Sequence, residues 1–346
     1  MTDLRTFHLQ PVRVLVVKLS SMGDIIHLTG CLRALRQTLP LARIALAVEH
    51  RWRDVVCHNP NVDTLVESSP QQRLSLPYLA EINRSLSQHG PFDIAIDFQG
   101  NHRSAAWIYL SRARVKMGRG SFRPGWQKAM IPDLTQHAVT ACAEICRSIG
   151  IDAEDPAPEI YTGIEDQLRL EHVLAEAGIP SGGYIVLNPF SRWASKSWPL
   201  ENAAQVIRRL QAMTPHRLVL SGGPEDEAQA ADLQRLLGPC RIPSLVGRLS
   251  LGAALCLFRR ARLMVTCDSG PMHAAAACGV PVVALFGPTH PERTGPWGPR
   301  HQVLQARRPP THHTYRSDPR GEYMRLLDPE RILAAVLSEL SIGEAP

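Results

Sequence analysis

The sequence predicts an α/β protein built from two doubly wound domains, each a mostly parallel sheet wrapped by helices, with a cleft between them. Three observations lead there. The strand candidates are continuous apolar runs, as in strands buried on both faces; Arg13-Val14-Leu15-Val16-Val17-Lys18 begins the pattern and Leu263-Met264-Val265-Thr266 repeats it late in the chain. Segments of helical period separate these runs, which makes βαβ units. The alternation stops once, at Asp152-Ala153-Glu154-Asp155-Pro156-Ala157-Pro158, and then restarts. At 346 residues the chain is long for one domain, and two of roughly 150–170 residues each is the natural division.

In the first half, strand 13–18 leads through Ser20-Ser21-Met22-Gly23-Asp24 into a helix over 25–38. Strands follow at 42–48 and 92–98, the latter ending at Gln99-Gly100, and a helix over 137–149 closes the half. Beyond the linker, helix 165–177 leads to strand 184–187, and helix 200–213 to strand 217–220. Helices 224–237 and 251–260, strand 263–266, helix 270–278 and strand 280–285 complete the pattern. A last amphipathic helix, 329–340, could pack back across the domain seam. In doubly wound sheets ligands bind beyond the carboxyl ends of the strands. That rule singles out the loops at 19–24, 97–103, 188–197, 221–225 and 267–273.

A hydrophobic share of 44% and a charged share of 20% are ordinary for a globular protein with a core large enough to need no disulfides. Most of the eight cysteines sit in apolar stretches, and only Cys142 and Cys146 lie a helical turn apart, with no second pair to complete a zinc set. Reduced, buried thiols in a reducing compartment are therefore expected. The N-terminus lacks the apolar core of a signal peptide. No apolar run approaches the ~20 residues of a membrane span, so a cytoplasmic location with a transient contact at the inner face of the inner membrane is the expectation. A net charge of +6 suits an anionic partner such as a phosphorylated glycolipid, although a generally basic solvated surface would look the same. An aromatic content of 5% and the lack of a recognisable module argue against nucleic acid.

The loop Lys18-Leu19-Ser20-Ser21-Met22-Gly23-Asp24 lacks the spaced glycines of a dinucleotide fingerprint, which disfavours a nicotinamide oxidoreductase. It offers instead a carboxylate, Asp24, at a helix start beyond a strand; the plain use of such a residue is to cap the helix. The richest constellation is Val265-Thr266-Cys267-Asp268-Ser269-Gly270-Pro271-Met272-His273. Here the N–H groups of Ser269, Gly270 and the next turn could hold a diphosphate, Asp268 could accept from sugar hydroxyls, and His273 could face the ligand. A capped helix with a core histidine is the competing reading. In Asn188-Pro189-Phe190-Ser191-Arg192-Trp193-Ala194-Ser195-Lys196-Ser197-Trp198, Lys196 is the cation best placed to neutralise a leaving diphosphate, against the ordinary alternative of a surface lysine. Glu225, in Ser221-Gly222-Gly223-Pro224-Glu225, could bind a ribose or simply favour the helix dipole.

With these motifs assembled, the chain resembles the lipopolysaccharide heptosyltransferases of glycosyltransferase family 9, inverting enzymes of the GT-B fold, over nearly its whole length. The resemblance rests on Val17-Lys18-Leu19-Ser20-Ser21-Met22-Gly23-Asp24-Ile25-Ile26-His27, Asp97-Phe98-Gln99-Gly100, Lys196-Ser197-Trp198-Pro199, Cys267-Asp268-Ser269-Gly270-Pro271-Met272-His273 and Leu285-Phe286-Gly287-Pro288-Thr289. It implies an acceptor-binding domain over 1–160, a donor-binding domain over 161–328, and a C-terminal helix over 329–346. It implies ADP-heptose as donor substrate, no cofactor, and an anionic glycolipid acceptor, Kdo-lipid A or a heptosylated core. Asp24 matches the general base and Lys196 the diphosphate lysine. Ser191, Glu225, Leu249, Asp268, Ser269, Gly270 and His273 join Lys196 as donor contacts, and Ser21 and Gln99 fall on the acceptor side. Arg51, Arg53, Arg103, Arg119 and Arg123 are candidate contacts for acceptor anions, each with an ordinary surface arginine as its alternative.

Two features depart from the family. Asn188-Pro189-Phe190 stands where a glycine often follows the proline, and the cysteine cluster that many relatives carry after the Gly-Pro-Thr motif is replaced by Pro309–Arg325, rich in arginine and holding His312 and His313. No third ligand follows these histidines at helical spacing, so a phosphate-facing or solvated loop is expected there rather than a metal. With no Asp-x-Asp motif on a cleft loop, no metal is expected to be needed. The alternatives kept open are a glycosyltransferase with another nucleotide sugar or glycan acceptor, a sugar-nucleotide epimerase of the same fold, and a non-catalytic binding protein.

Overall fold

The computed structural model describes residues 3–71, 73–120, 124–133 and 135–342. The chain forms two compact units, residues 1–161 and 162–346.

The first unit contains β1 (Arg13–Val17), α1 (Met22–Thr38), β2 (Arg43–Glu49), β3 (Thr64–Ser68), α2 (Leu76–His89), β4 (Ile94–Asp97), α3 (His102–Leu110), β5 (Val115–Arg119), β6 (Lys128–Met130) and α4 (Ala138–Ser148). The strands pair in parallel in the order β3-β2-β1-β4-β5-β6. Central β1 is apolar after Arg13 because both its faces are covered: Val14, Leu15, Val16 and Val17 are fully buried, with Val16 registered between Leu46 and Ile96. One face packs with Tyr78, Ile82, Trp107 and Ile108 of α2 and α3, and Trp107 satisfies its buried N–H on the Tyr78 hydroxyl at 3.2 Å. Chain order reverses direction across the sheet between β1 and β4, which makes the loops after these two strands the switch point of the unit.

The segment read as a linker, 152–158, is laid against α1. Arg33 holds the carboxylates of Asp155 and Glu159, and the Glu159 N–H donates to the Thr29 hydroxyl at 2.8 Å. The approach is so close that a Cβ on Gly30 would lie 2.3 Å from the Pro156 carbonyl oxygen. Gly30→Ala should therefore destabilise the first unit by about 1–3 kcal/mol through overpacking, read as a lower urea midpoint at unchanged slope.

The second unit contains α5 (Ile164–Glu176), β7 (Ile185–Asn188), α6 (Leu200–Met213), β8 (Leu218–Leu220), α7 (Glu227–Leu237), α8 (Leu251–Arg259), β9 (Leu263–Cys267), α9 (Gly270–Ala277), β10 (Val282–Phe286), α10 (Pro291–Thr294), β11 (His301–Gln305), α11 (Glu322–Arg325) and α12 (Pro329–Ile342). Its parallel sheet runs β11-β10-β9-β7-β8, with the switch point between β7 and β9. The core on one face joins Trp198, Ile207 and Leu210 to Leu233 of α7 and to Ile332 and Val336 of α12. The two parallel sheets establish the α/β class, with two doubly wound domains, read from the sequence.

The helix expected over 224–237 is interrupted: Pro224–Asp226 is a short 3-10 turn and α7 starts at Glu227. All eight cysteines are free and five are buried. No described helix is long and apolar enough to cross a membrane.

Candidate functional site

In the first unit the candidate residues gather at the switch point. Ser21 is the N-cap of α1 and Asp24 is its third residue, so Asp24 is not the cap itself. The carboxylate reaches back instead, its Oδ2 accepting from the Ser21 N–H at 3.0 Å and the Ser21 hydroxyl at 2.8 Å. Its Oδ1 faces the Lys18 ammonium at 3.6 Å. The Lys18 side chain is only 3% exposed and that of Asp24 45%, so the pair has a buried cation and an accessible anion. Desolvation of its half-buried carboxylate works to raise the Asp24 pKa, but Lys18, the Ser21 N–H, His27 and the Ser21 hydroxyl outweigh it and hold the carboxyl below its usual range.

Two further contacts bind the β1 and β4 loops together. Lys18 Nζ donates to the Phe98 carbonyl at 3.2 Å, and the Ser20 N–H donates to Gln99 Oε1 at 3.3 Å. Asp97 shapes the second loop, its Oδ1 accepting from the N–H groups of Gln99 and Gly100 and its Oδ2 from the Ser104 hydroxyl. Glu49, only 1% exposed, accepts from Arg51 at 2.6 Å and from Arg103 at 2.7 Å, and Arg103 also reaches the Ser20 hydroxyl. Arg119 lies over the Gln99-Gly100 turn: Gly100, at φ +77°, leaves room where a Cβ would meet Arg119 Cγ at 2.8 Å. Arg53 points elsewhere, to Glu67 of β3 at 3.0 Å, and that hydrogen bond raises its pKa. Arg123 lies outside the described residues.

In the second unit Lys196 Nζ sits 2.6 Å from Asp268 Oδ2, and the same oxygen accepts from the Thr289 hydroxyl at 2.7 Å. Asp268 is buried at 4% exposure. Ser269 is the N-cap of α9, but its hydroxyl donates to the Cys267 carbonyl and does not cap the helix. The N–H supply at this terminus is smaller than the sequence suggests: Pro271 has none, and Met272 spends its own on the Ser269 carbonyl. The Gly270 N–H, as the first of the helix, has no intrahelical acceptor. His273 is buried within α9.

Ser191 shares the Lys196 loop, its N–H donating to the Ser197 hydroxyl at 3.2 Å. Glu225 is exposed, and the cap on Gly223 comes from Asp226, whose carboxyl is pushed up by burial against the pull of that Gly223 N–H. Leu249 sits half-buried in the loop before α8, joined to the Glu225 loop by the Gly247 N–H on the Gly222 carbonyl. Phe190 packs against Gly222, where a Cβ would lie 2.9 Å from the ring, so the Lys196 and Glu225 loops abut. His312 and His313 meet edge to face at 5.0 Å, and no cluster of metal-ligating side chains occurs among the described residues.

Residues 80–324 match the profile described as Glycosyltransferase family 9 (heptosyltransferase). The chain belongs to glycosyltransferase family 9. This family 9 enzyme is 27% identical over 317 residues to lipopolysaccharide heptosyltransferase 1 of Escherichia coli strain K12, covering 86% of this chain and 94% of the relative. It is 29% identical to the Pseudomonas aeruginosa protein of the same name, covering 84% of this chain and 83% of the relative. Among solved structures it is similar to a family 9 glycosyltransferase from Veillonella parvula, with a TM-score of 0.84 and 26% identity over 97% of this chain and 99% of that one. Membership makes the protein a transferase and sets the epimerase reading aside.

Glu49 and Thr289 were not singled out as site residues. Thr289 stands in a recognised motif, whereas Glu49 reads locally as one surface charge among several. The family 9 enzyme should keep Asp24 ionised under mildly acidic conditions. The folded pKa lies below the unfolded one, so the stability contributed by Asp24 is present above the ordinary carboxylate pKa of about 3.9 and lost as pH falls through the lowered value. Transfer rates between pH 7 and about 5 should accordingly show no acid limb from this group.

Proposed function

We propose that this glycosyltransferase moves a heptose from ADP-heptose to a hydroxyl of the lipopolysaccharide inner core, with inversion, in the cytoplasm at the inner face of the inner membrane. The observation that carries the reading is the similarity to lipopolysaccharide heptosyltransferase 1 across 317 residues. That stretch is joined to an accessible carboxylate at one switch point and a lysine at the other.

In the proposed step the acceptor oxygen bonds to the anomeric carbon as the bond from that carbon to the diphosphate oxygen breaks. The hydroxyl proton passes to Asp24, and ADP leaves. A carboxylate as acidic as Asp24 cannot take a proton from a free alcohol; it can do so once the oxygen has begun to bond to carbon and become acidic. Proton transfer is therefore timed with attack. Lys196 and the Gly270 N–H stabilise the departing charge, where fixed dipoles contribute most to rate. Asp268 orients Lys196 and offers its second carboxylate oxygen to the sugar hydroxyls.

The test is release of ADP from ADP-heptose with and without Kdo-lipid A. Acceptor-dependent release supports the reading. Release with another nucleotide sugar or another glycan alone would replace donor or acceptor, and tight donor binding with no release under any acceptor would leave a binding protein.

A further inference from the structure

Segment 309–325, which carries Arg316, Arg320 and Arg325, is largely exposed, yet it is fastened onto the Lys196 loop. The Ser195 hydroxyl donates to the Tyr315 carbonyl at 2.6 Å. Gly321, at φ +66°, passes so close that a Cβ would sit 3.1 Å from the Ala194 carbonyl oxygen. Asp318, 5% exposed, caps α11 through the Glu322 and Tyr323 N–H groups at 2.9 and 3.0 Å, and Met324 anchors that turn in the core.

This fastening builds a ladder of rings and cations beside Lys196. Trp193 and Tyr315 stack with centroids 4.3 Å apart and planes at 30°. The Arg192 guanidinium lies 5.5 Å from the Trp193 ring, and Arg316 5.5 Å and Lys196 5.7 Å from the Tyr315 ring. Lys196 is already neutralised by Asp268, so a diphosphate arriving at that pair meets no net positive charge from it. Arg192 and Arg316 are exposed and form no ion pair among the described residues. Ring contact orients each guanidinium while leaving its N–H donors free.

We infer that Arg192 and Arg316, held by the Trp193–Tyr315 stack, supply the net positive charge that seats the diphosphate group of the donor, with Lys196 acting as one half of a neutral pair. The inference rests on the proposed nucleotide-sugar reading, and it assigns to segment 309–325 the role of placing Arg316 at the site.

The experiment is calorimetric titration of the full chain with ADP, UDP, GDP and adenosine at two salt concentrations. It compares wild type with Arg192→Gln, Arg316→Gln and the double variant, whose melting temperatures are checked first. Each single change is expected to weaken the best nucleoside diphosphate about tenfold and to flatten its salt dependence, with adenosine unaffected. Nucleoside diphosphate affinity within about twofold of wild type in the double variant overturns the inference and leaves the donor reading standing. Equal loss of adenosine and ADP overturns it as well, as structural damage. A wild type that binds none of the three diphosphates removes the donor reading and the inference together.

Discussion

Asp24→Asn should lower acceptor-dependent ADP release by about 10²–10⁴-fold, the range expected when a general base is lost, with donor affinity unchanged. The variant preserves shape and keeps an oxygen able to accept from Ser21, so α1 retains its start. It strips the buried Lys18 of the Asp24 charge, however, and a buried cation that loses its ion-pair partner is destabilising. Thermal unfolding separates the two effects. A modestly lower melting temperature with a collapsed rate fits a base, whereas a rate that falls only in step with the folded fraction fits a carboxylate that merely braces Ser21. Lys18→Met combined with Asp24→Asn should recover much of the stability and none of the rate.

Lys196→Ala should cost about 10²–10³ in rate, or about 2.7–4 kcal/mol of transition-state stabilisation. Here too the partner matters. Asp268 would be left buried with only Thr289 as side-chain donor among the described residues, so some of the loss would come from a displaced carboxylate. Asp268→Asn beside Lys196→Ala isolates that part: stability should return while the rate stays low. A near-normal rate in Lys196→Ala would move the leaving-group role elsewhere in the unit.

The sheets were legible because central strands buried on both faces must be apolar, and β1, β2, β4, β7, β9 and β10 all announced themselves that way. Asp24, Lys196 and Asp268 could be singled out as candidates because they lie just beyond the carboxyl ends of such strands, where doubly wound sheets bind ligands. Elements lacking that constraint were not legible. β11 reads His301-Gln302-Val303-Leu304-Gln305 and is only half-buried, so nothing in its composition marks a strand. Glu49 was hidden because its burial depends on Arg103, 54 positions away, and Tyr315 because its stacking partner is distant in sequence. At the α9 terminus the Ser269–Met272 contact, which occupies one N–H of the helix start, could not be read from the motif.

The contacts between the β1 and β4 loops have a consequence for how the first unit breathes. Lys18 is bound to both Asp24 and Phe98, and Ser20 to both Gln99 and Arg103. Neither loop can open by local fraying alone, because a fluctuation in one strains the other. Amide hydrogens from Ser20 to Gly100 on these two loops should exchange as one cooperative group, slowly and with a common denaturant dependence. Asp24, the proposed base, thus follows directly on a loop tied to its neighbour, and an acceptor bound there would meet geometry that it does not have to organise.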